Sequence, residues 1–229
     1  MPYVVGHRGA AALQPENTVE GFEYAISLGC EYIEFDVHLS ADRHLVVIHD
    51  DTVDRTTNGS GQVAQMTLTQ LQQLDAGDGR RIPALHEVLE AIRGSTILLC
   101  ELKGPFTPRP TAQAVKDFHR QDQVIFTSFH FGRLAAIKQI DPRLQTGATF
   151  GEPPADALEQ ALALGAISVG INHRSMNVDF VENARRLGLN LRAWNPDNEA
   201  DIQRMIDLDP AGISSNRPDL VLKCLGRTG

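Results

Sequence analysis

Residues 31–38 read Glu31-Tyr32-Ile33-Glu34-Phe35-Asp36-Val37-His38. Side chains alternate across a β-strand, so Glu34, Asp36 and His38 take one face while Ile33, Phe35 and Val37 take the other. In a barrel the apolar face packs on helices. The acidic face then points into the barrel or its mouth, where ionised carboxylates without a partner are costly.

Outward from this stretch, short apolar runs alternate with helix-length segments, the pattern of βα units on a parallel sheet. Strands are expected near 3–6, 31–37, 96–102, 123–128, 144–149, 166–171, 189–194 and 211–214. Helical periodicity falls near 18–28, 84–92, 111–119, 131–140, 155–164, 178–187, 198–206 and 217–225. That count and order predict an α/β fold of the TIM (β/α)8 barrel type, and 229 residues approach the roughly 250 typical of one such domain. A single domain over 1–229 is expected, with a small insertion after strand 2 at about residues 50–80. Within it only Thr67–Leu74 has helical character, and loops of this length are usually functional. Asn17 followed by Glu20 resembles a capping box, and Pro218 sits where a first helical turn tolerates proline. The proline-rich segment from Lys103 to Gln123 has the weakest element signal.

Composition narrows the function classes. A net charge of -8 argues against a broad cationic surface for nucleic acid, yet a bound divalent ion can reverse the local field for a small phosphate substrate. No apolar run approaches the roughly 20 residues of a membrane span, so stable membrane insertion is not expected. The N-terminal residues enter a strand-like segment at once, which makes a cytoplasmic location the expectation. Cys30, Cys100 and Cys224 lie far apart and are odd in number, suggesting neither a disulfide framework nor a cysteine zinc site.

The chemistry concentrates at strand ends. Ile97, Leu99, Glu101 and Lys103 alternate with Leu98, Cys100 and Leu102, so charge appears only at the C-terminal end of that strand. Glu34, Asp36 and Glu101 are thereby expected to converge at the rim where barrel enzymes place their sites. Hard oxygen ligands in that number suit one divalent cation, Mg²⁺ or Ca²⁺. For any one of these acids a solvated charge at a strand end is the plainer reading. Two on one face of an apolar strand, with a third on the next, put a metal site on equal footing with that reading.

His7 closes Val4-Val5-Gly6-His7 and His49 closes Leu45-Val46-Val47-Ile48-His49. Two histidines on opposite sides of a phosphorus atom can serve as acid and base. Arg8 and Lys103 are the natural phosphate partners, against the usual reading of Arg and Lys as solvated charge. Trp194, the sole tryptophan, either stacks on an organic part of the substrate or packs at the rim.

His7-Arg8-Gly9, Pro15-Glu16-Asn17-Thr18, Glu34-Phe35-Asp36-Val37, His49-Asp50-Asp51-Thr52 with Asp54-Arg55-Thr56-Thr57, and Glu101-Leu102-Lys103 together resemble the glycerophosphodiester phosphodiesterase (GDPD) family. Each motif is weak alone, but the ordered set is specific. It is densest over residues 4–103 and continues weakly to Trp194 and Ser215-Asn216-Arg217-Pro218-Asp219. The resemblance implies a TIM barrel and metal-dependent hydrolysis of glycerophosphodiesters to glycerol 3-phosphate and an alcohol. It also implies Glu34, Asp36 and Glu101 as ligands of the cation, His7 and His49 as the acid/base pair, and Arg8 and Lys103 on the phosphate. By the same analogy the glycerol 2-hydroxyl attacks first, giving a cyclic phosphate that water opens. Asn216 departs from the pattern, standing where many relatives carry Asp. The alternatives are a lysophospholipase D-type phosphodiesterase, and a non-catalytic binder of glycerophosphodiesters on the same scaffold.

Overall fold

Val4 and Val5 of strand β1 (Tyr3–Gly6) are both fully buried, because alternate residues face a surrounding layer of helices and the inside of a barrel. The same division holds around a computed structural model that describes residues 1–227. Helix α1 (Val19–Leu28) follows, then β2 (Tyr32–Leu39) and a short strand, β3 (Leu45–Val47). The excursion after β3 contains α2 (Leu68–Gln72) and leads into α3 (Leu85–Ala91). From there strands and helices alternate strictly: β4 (Ile97–Leu102), α4 (Pro108–Asp117), β5 (Val124–Ser128), α5 (Phe131–Ile140), β6 (Gln145–Phe150) and α6 (Ala157–Ala163). The chain ends through β7 (Ser168–Asn172), α7 (Val178–Leu187), β8 (Asn190–Trp194), α8 (Glu199–Leu208), β9 (Gly212–Ser215) and α9 (Pro218–Cys224).

Eight strands pair in parallel in the order β1, β9, β8, β7, β6, β5, β4, β2, and pairing of β1 with β2 closes them into a TIM barrel. The remaining strand, β3, was not among the eight expected from the sequence. β2 extends past its parallel neighbours and turns back, so that β3 runs antiparallel to it with Val37 opposite Val47. The Ile48 N–H donates to the Asp36 carbonyl at 3.1 Å, which returns His49 to the level of the acidic residues on β2.

Ile33, Phe35 and Val37 of β2 join Leu98, Cys100 and Leu102 of β4 in the layer between barrel and helices. The other faces point inward. Val5, Leu99 and Ile125 fill the barrel with Tyr3, Tyr32 and Ile97 packed on them. The excursion has an apolar cluster of its own, Val46, Ile48, Val53, Val63, Leu71, Ala76 and Ile82.

Two local expectations change. The cap of α1 is Thr18, whose Oγ1 accepts from the Gly21 N–H at 3.1 Å, a contact worth about 1 kcal/mol. Asn17, the expected cap, has φ 58° and turns its amide toward β2 instead. In the proline-rich segment α4 starts at Pro108, three residues before the periodicity at 111 became visible, because proline is accommodated in a first turn that needs no N–H. Pro218 likewise opens α9.

Space inside the barrel is set by small residues. A Cβ on Gly212 would lie 2.1 Å from the ring of Tyr3, which itself stacks on Tyr32 with centroids 4.0 Å apart. Gly212→Ala is therefore expected to lower stability by roughly 1–3 kcal/mol, seen as a lower urea midpoint with an unchanged slope. An unchanged midpoint would show that the tyrosine pair yields freely.

Candidate active site

Parallel pairing sets Asp36 beside Glu101, and Glu34 lies two residues before Asp36 on the same inward face. One carboxylate oxygen from each of these three lies within 4.8 Å of the others, and Glu34 and Asp36 are almost wholly buried. Burial, then the neighbouring charges of Asp36 and Glu101, hold Glu34 well above the usual carboxylate range. Glu101 is pushed up to about 7, chiefly by burial and then by Asp36, with Lys103 acting in the opposite direction. Like charges this close favour a cation between them. Their donor set of hard oxygens fits Mg²⁺ or Ca²⁺.

Backbone and amide donors fix the carboxylates. The Arg8 N–H donates to Glu34 Oε2 at 3.0 Å, from a residue held at φ 50°. Asn17 Nδ2 donates to Asp36 Oδ2 at 3.0 Å while its Oδ1 accepts from the Asp36 N–H at 3.3 Å.

Both histidines have Nδ1 engaged. His7 follows β1, and its Nδ1 lies 2.7 Å from Asn216 Oδ1. Asn216 Nδ2 donates to Asp197 Oδ2 at 2.6 Å, which turns the amide oxygen toward His7 and makes His7 Nδ1 the protonated nitrogen. Nε2 is then left with a lone pair, 3.3 Å from Asn195 Nδ2 and 3.8 Å from Glu34. Burial, then the charge of Arg8, pushes His7 down to about 4, so its neutral form prevails near pH 7. Asn216 thus holds the ring with its own amide anchored by the carboxylate of Asp197.

His49 Nδ1 lies 2.5 Å from Asp50 Oδ1. Asp50 in turn accepts from Arg55 Nε at 2.7 Å, and Arg55 forks onto both oxygens of Glu16 at 2.8 Å. Glu16 also accepts from Arg8 Nη1 at 3.0 Å. The Arg55 contact is the main cause that holds Asp50 below the usual carboxylate range. His38, on the outer stretch of β2, braces the same residue through Nε2 donation to the His49 carbonyl at 3.1 Å.

His7, Arg8, His49, Glu101, Lys103 and Trp194 lie at the C-terminal end of a strand or just beyond it, whereas Glu34 and Asp36 lie within β2, which runs on past its parallel neighbours. His7, Arg8, Glu34, His49, Glu101, Lys103 and Trp194 line one cavity of about 200 Å³. The Arg8 guanidinium is engaged by Glu16 and lies 3.5 Å from Asp36, and Lys103 Nζ sits 3.1 Å from Glu101. Trp194 meets Phe129 edge to face, with centroids 5.8 Å apart, and Lys103 Nζ lies 5.6 Å from the Phe129 centroid.

Sequence reading missed Asn17, Asp50 and Arg55 as positioning residues, along with the Asp197–Asn216 pair. Asp50 had a signal, being adjacent to His49 in sequence. His7 and Asn216 are 209 residues apart and had none without the fold.

Comparison with known proteins agrees with this geometry. The sequence model of the glycerophosphoryl diester phosphodiesterase family matches residues 7–220. A glycerophosphodiester phosphodiesterase of Caldanaerobacter subterraneus subsp. tengcongensis is 35% identical over 239 residues, covering 99% of this chain and 98% of the relative. A phosphodiesterase of Oleispira antarctica, solved in complex with the product sn-glycerol-3-phosphate, has a TM-score of 0.92 at 27% identity, with 99% and 97% of the two chains covered. A glycerophosphodiester phosphodiesterase of Agrobacterium tumefaciens gives 0.86 at 30% identity, with 97% of this chain and 100% of that one covered. Agreement in sequence and in fold along nearly the whole chain makes it a member of the glycerophosphoryl diester phosphodiesterase family.

Proposed function

We propose that this chain hydrolyses glycerophosphodiesters to glycerol 3-phosphate and an alcohol, with one divalent cation held by Glu34, Asp36 and Glu101. The observation that carries this reading is the meeting of those three carboxylates, within 4.8 Å of one another, at the wall of a cavity lined by Glu34, Glu101 and two histidines whose Nδ1 atoms are engaged. The named product of the Oleispira antarctica relative supports the same substrate class. When bound, the cation supplies positive charge against the nonbridging phosphate oxygens as negative charge grows there.

The protein groups divide the proton transfers. His7, neutral and with Nε2 facing the acidic cluster, takes the proton from the attacking oxygen. His49 gives a proton to the departing alcohol oxygen, and the Asp50 carboxylate balances the imidazolium that precedes transfer. The P–O bond to the alcohol breaks as the new one forms. Lys103 faces the phosphate, and Arg8 contributes mainly by fixing Glu34 and Asp36. Trp194 and Phe129 border the organic part of the substrate. The excursion at about 50–80 serves this one catalytic domain by carrying Asp50 and Arg55.

Release of glycerol 3-phosphate from glycerophosphocholine and glycerophosphoethanolamine is expected with Mg²⁺ or Ca²⁺ and is expected to vanish in EDTA. Equal rates in EDTA would end the metal reading, and turnover restricted to lysophosphatidylcholine would move the substrate class to lysophospholipids.

His7→Ala and His49→Ala are each expected to lower kcat by about 10²–10⁴ while metal still binds in calorimetry. Glu34→Ala should instead weaken metal binding itself. A histidine variant with near-normal turnover removes that residue from the mechanism.

Because Glu34 and Glu101 retain protons to higher pH than ordinary carboxylates, protons compete with the cation. Metal affinity is expected to rise between about pH 6 and pH 8, with protons released on binding in the lower half of that range. Buffer-dependent binding enthalpies measure this release, and affinity independent of pH would show the acids already ionised.

A further inference from the structure

Three cationic side chains reach the cavity, and two are committed to carboxylates. Arg8 is engaged by Glu16 and Asp36, and Lys103 by Glu101. Arg192, inward-facing on β8, is 7% exposed, lines the same cavity, and forms no hydrogen bond or ion pair among the described residues. A guanidinium left in that condition loses hydration with no protein partner in return.

The neighbouring strand makes room for it. Gly170 is in register with Arg192, and a Cβ there would stand 3.0 Å from Arg192 Nη2 and 3.4 Å from the Trp194 ring. The missing side chain is thus the space the guanidinium uses. Around the cavity Trp194 Nε1, Thr149 Oγ1 and Asn195 Oδ1 are also buried without hydrogen-bond partners. A cavity wall with this many unanswered polar atoms is built for a polar ligand.

The cavity shares His49, Glu101, Lys103 and Phe129 with a wider cleft of about 600 Å³, also lined by Asp51, Thr52, His130 and Arg133. The shared wall suits the reacting phosphorus. The open cleft suits an alcohol of variable size, and the smaller cavity suits the constant glycerol phosphate half.

We infer that Arg192 is a substrate-binding residue, donating from its guanidinium to a phosphoryl oxygen of the glycerol phosphate half. This rests on the phosphodiesterase reading for the identity of the substrate, whereas its oxyanion chemistry is tested by binding alone. Arg192 is then the cavity's uncommitted phosphate ligand, and Gly170 is the residue that admits it.

The test is calorimetry of sn-glycerol 3-phosphate and of inorganic phosphate on the Mg²⁺-loaded protein, wild type against Arg192→Met, with KM for glycerophosphoethanolamine alongside. Both affinities are expected to weaken about 10- to 100-fold, the usual worth of a charge-assisted hydrogen bond, and KM to rise in step. Arg192→Lys should recover part of the loss, and Gly170→Ala, which leaves the arginine in place but crowds it, should weaken phosphate binding without removing charge. Unchanged affinity for both ligands in a folded Arg192→Met protein overturns the inference. Weakened glycerol 3-phosphate binding with unchanged phosphate binding also overturns it, because the arginine would then be reading a hydroxyl. A wild-type protein that binds both ligands through Arg192 yet turns over no diester would count against the phosphodiesterase reading alone.

Discussion

Three carboxylates crowded inside a barrel repel one another and lose hydration, and most of the polar architecture can be understood as a response to that cost. Glu34 and Asp36 share an inward face because a strand repeats every second residue, and Glu101 joins them because parallel pairing puts it beside Asp36. The Arg8 N–H, the Asn17 amide and the Lys103 ammonium each answer one carboxylate. They fix the oxygens in place without neutralising the cluster, which leaves it the charge with which to hold a cation. A barrel interior packed with apolar residues would be more stable and would do nothing.

The histidines are oriented by a different device. Each gives its Nδ1 to a side-chain oxygen that is itself anchored: Asn216 by Asp197, and Asp50 by Arg55. The Arg55–Glu16 fork is half exposed, so its direct worth in stability is small, of the order of 1 kcal/mol or less. Its value is geometric. A planar guanidinium bonded to both Glu16 and Asp50 fixes the distance between the loop before α1 and the start of the excursion, and with it the plane of the His49 ring.

Local periodicity made the barrel legible. Every barrel strand fell within two residues of its expected bounds, because most are apolar runs legible in one dimension and the polar ones, β6 and β9, take their places in the alternation with helices. The acidic cluster was legible for the same reason, Glu34 and Asp36 being two apart on one strand. What sequence alone did not disclose depends on side chains that meet only after folding, such as Asn216 on His7. Asn17 was misread because Thr18, one residue on, offers the same capping chemistry; the choice between them is made by Asp36, which needs the amide. The return strand β3 was obscured because Leu45–Ile48 is apolar throughout: Val46 and Ile48 pack into the excursion while Val47 faces the main core.

That excursion, with an apolar cluster separate from the main core, carries the residues that aim His49 while the barrel carries the acidic ones. Small units of this kind open at a lower free energy than the body they sit on. Warming would therefore release the His49 ring from its bracing while the eight-stranded wall still stands. On the proposed mechanism, the fastening of one loop rather than the melting of the barrel sets the temperature at which turnover fails.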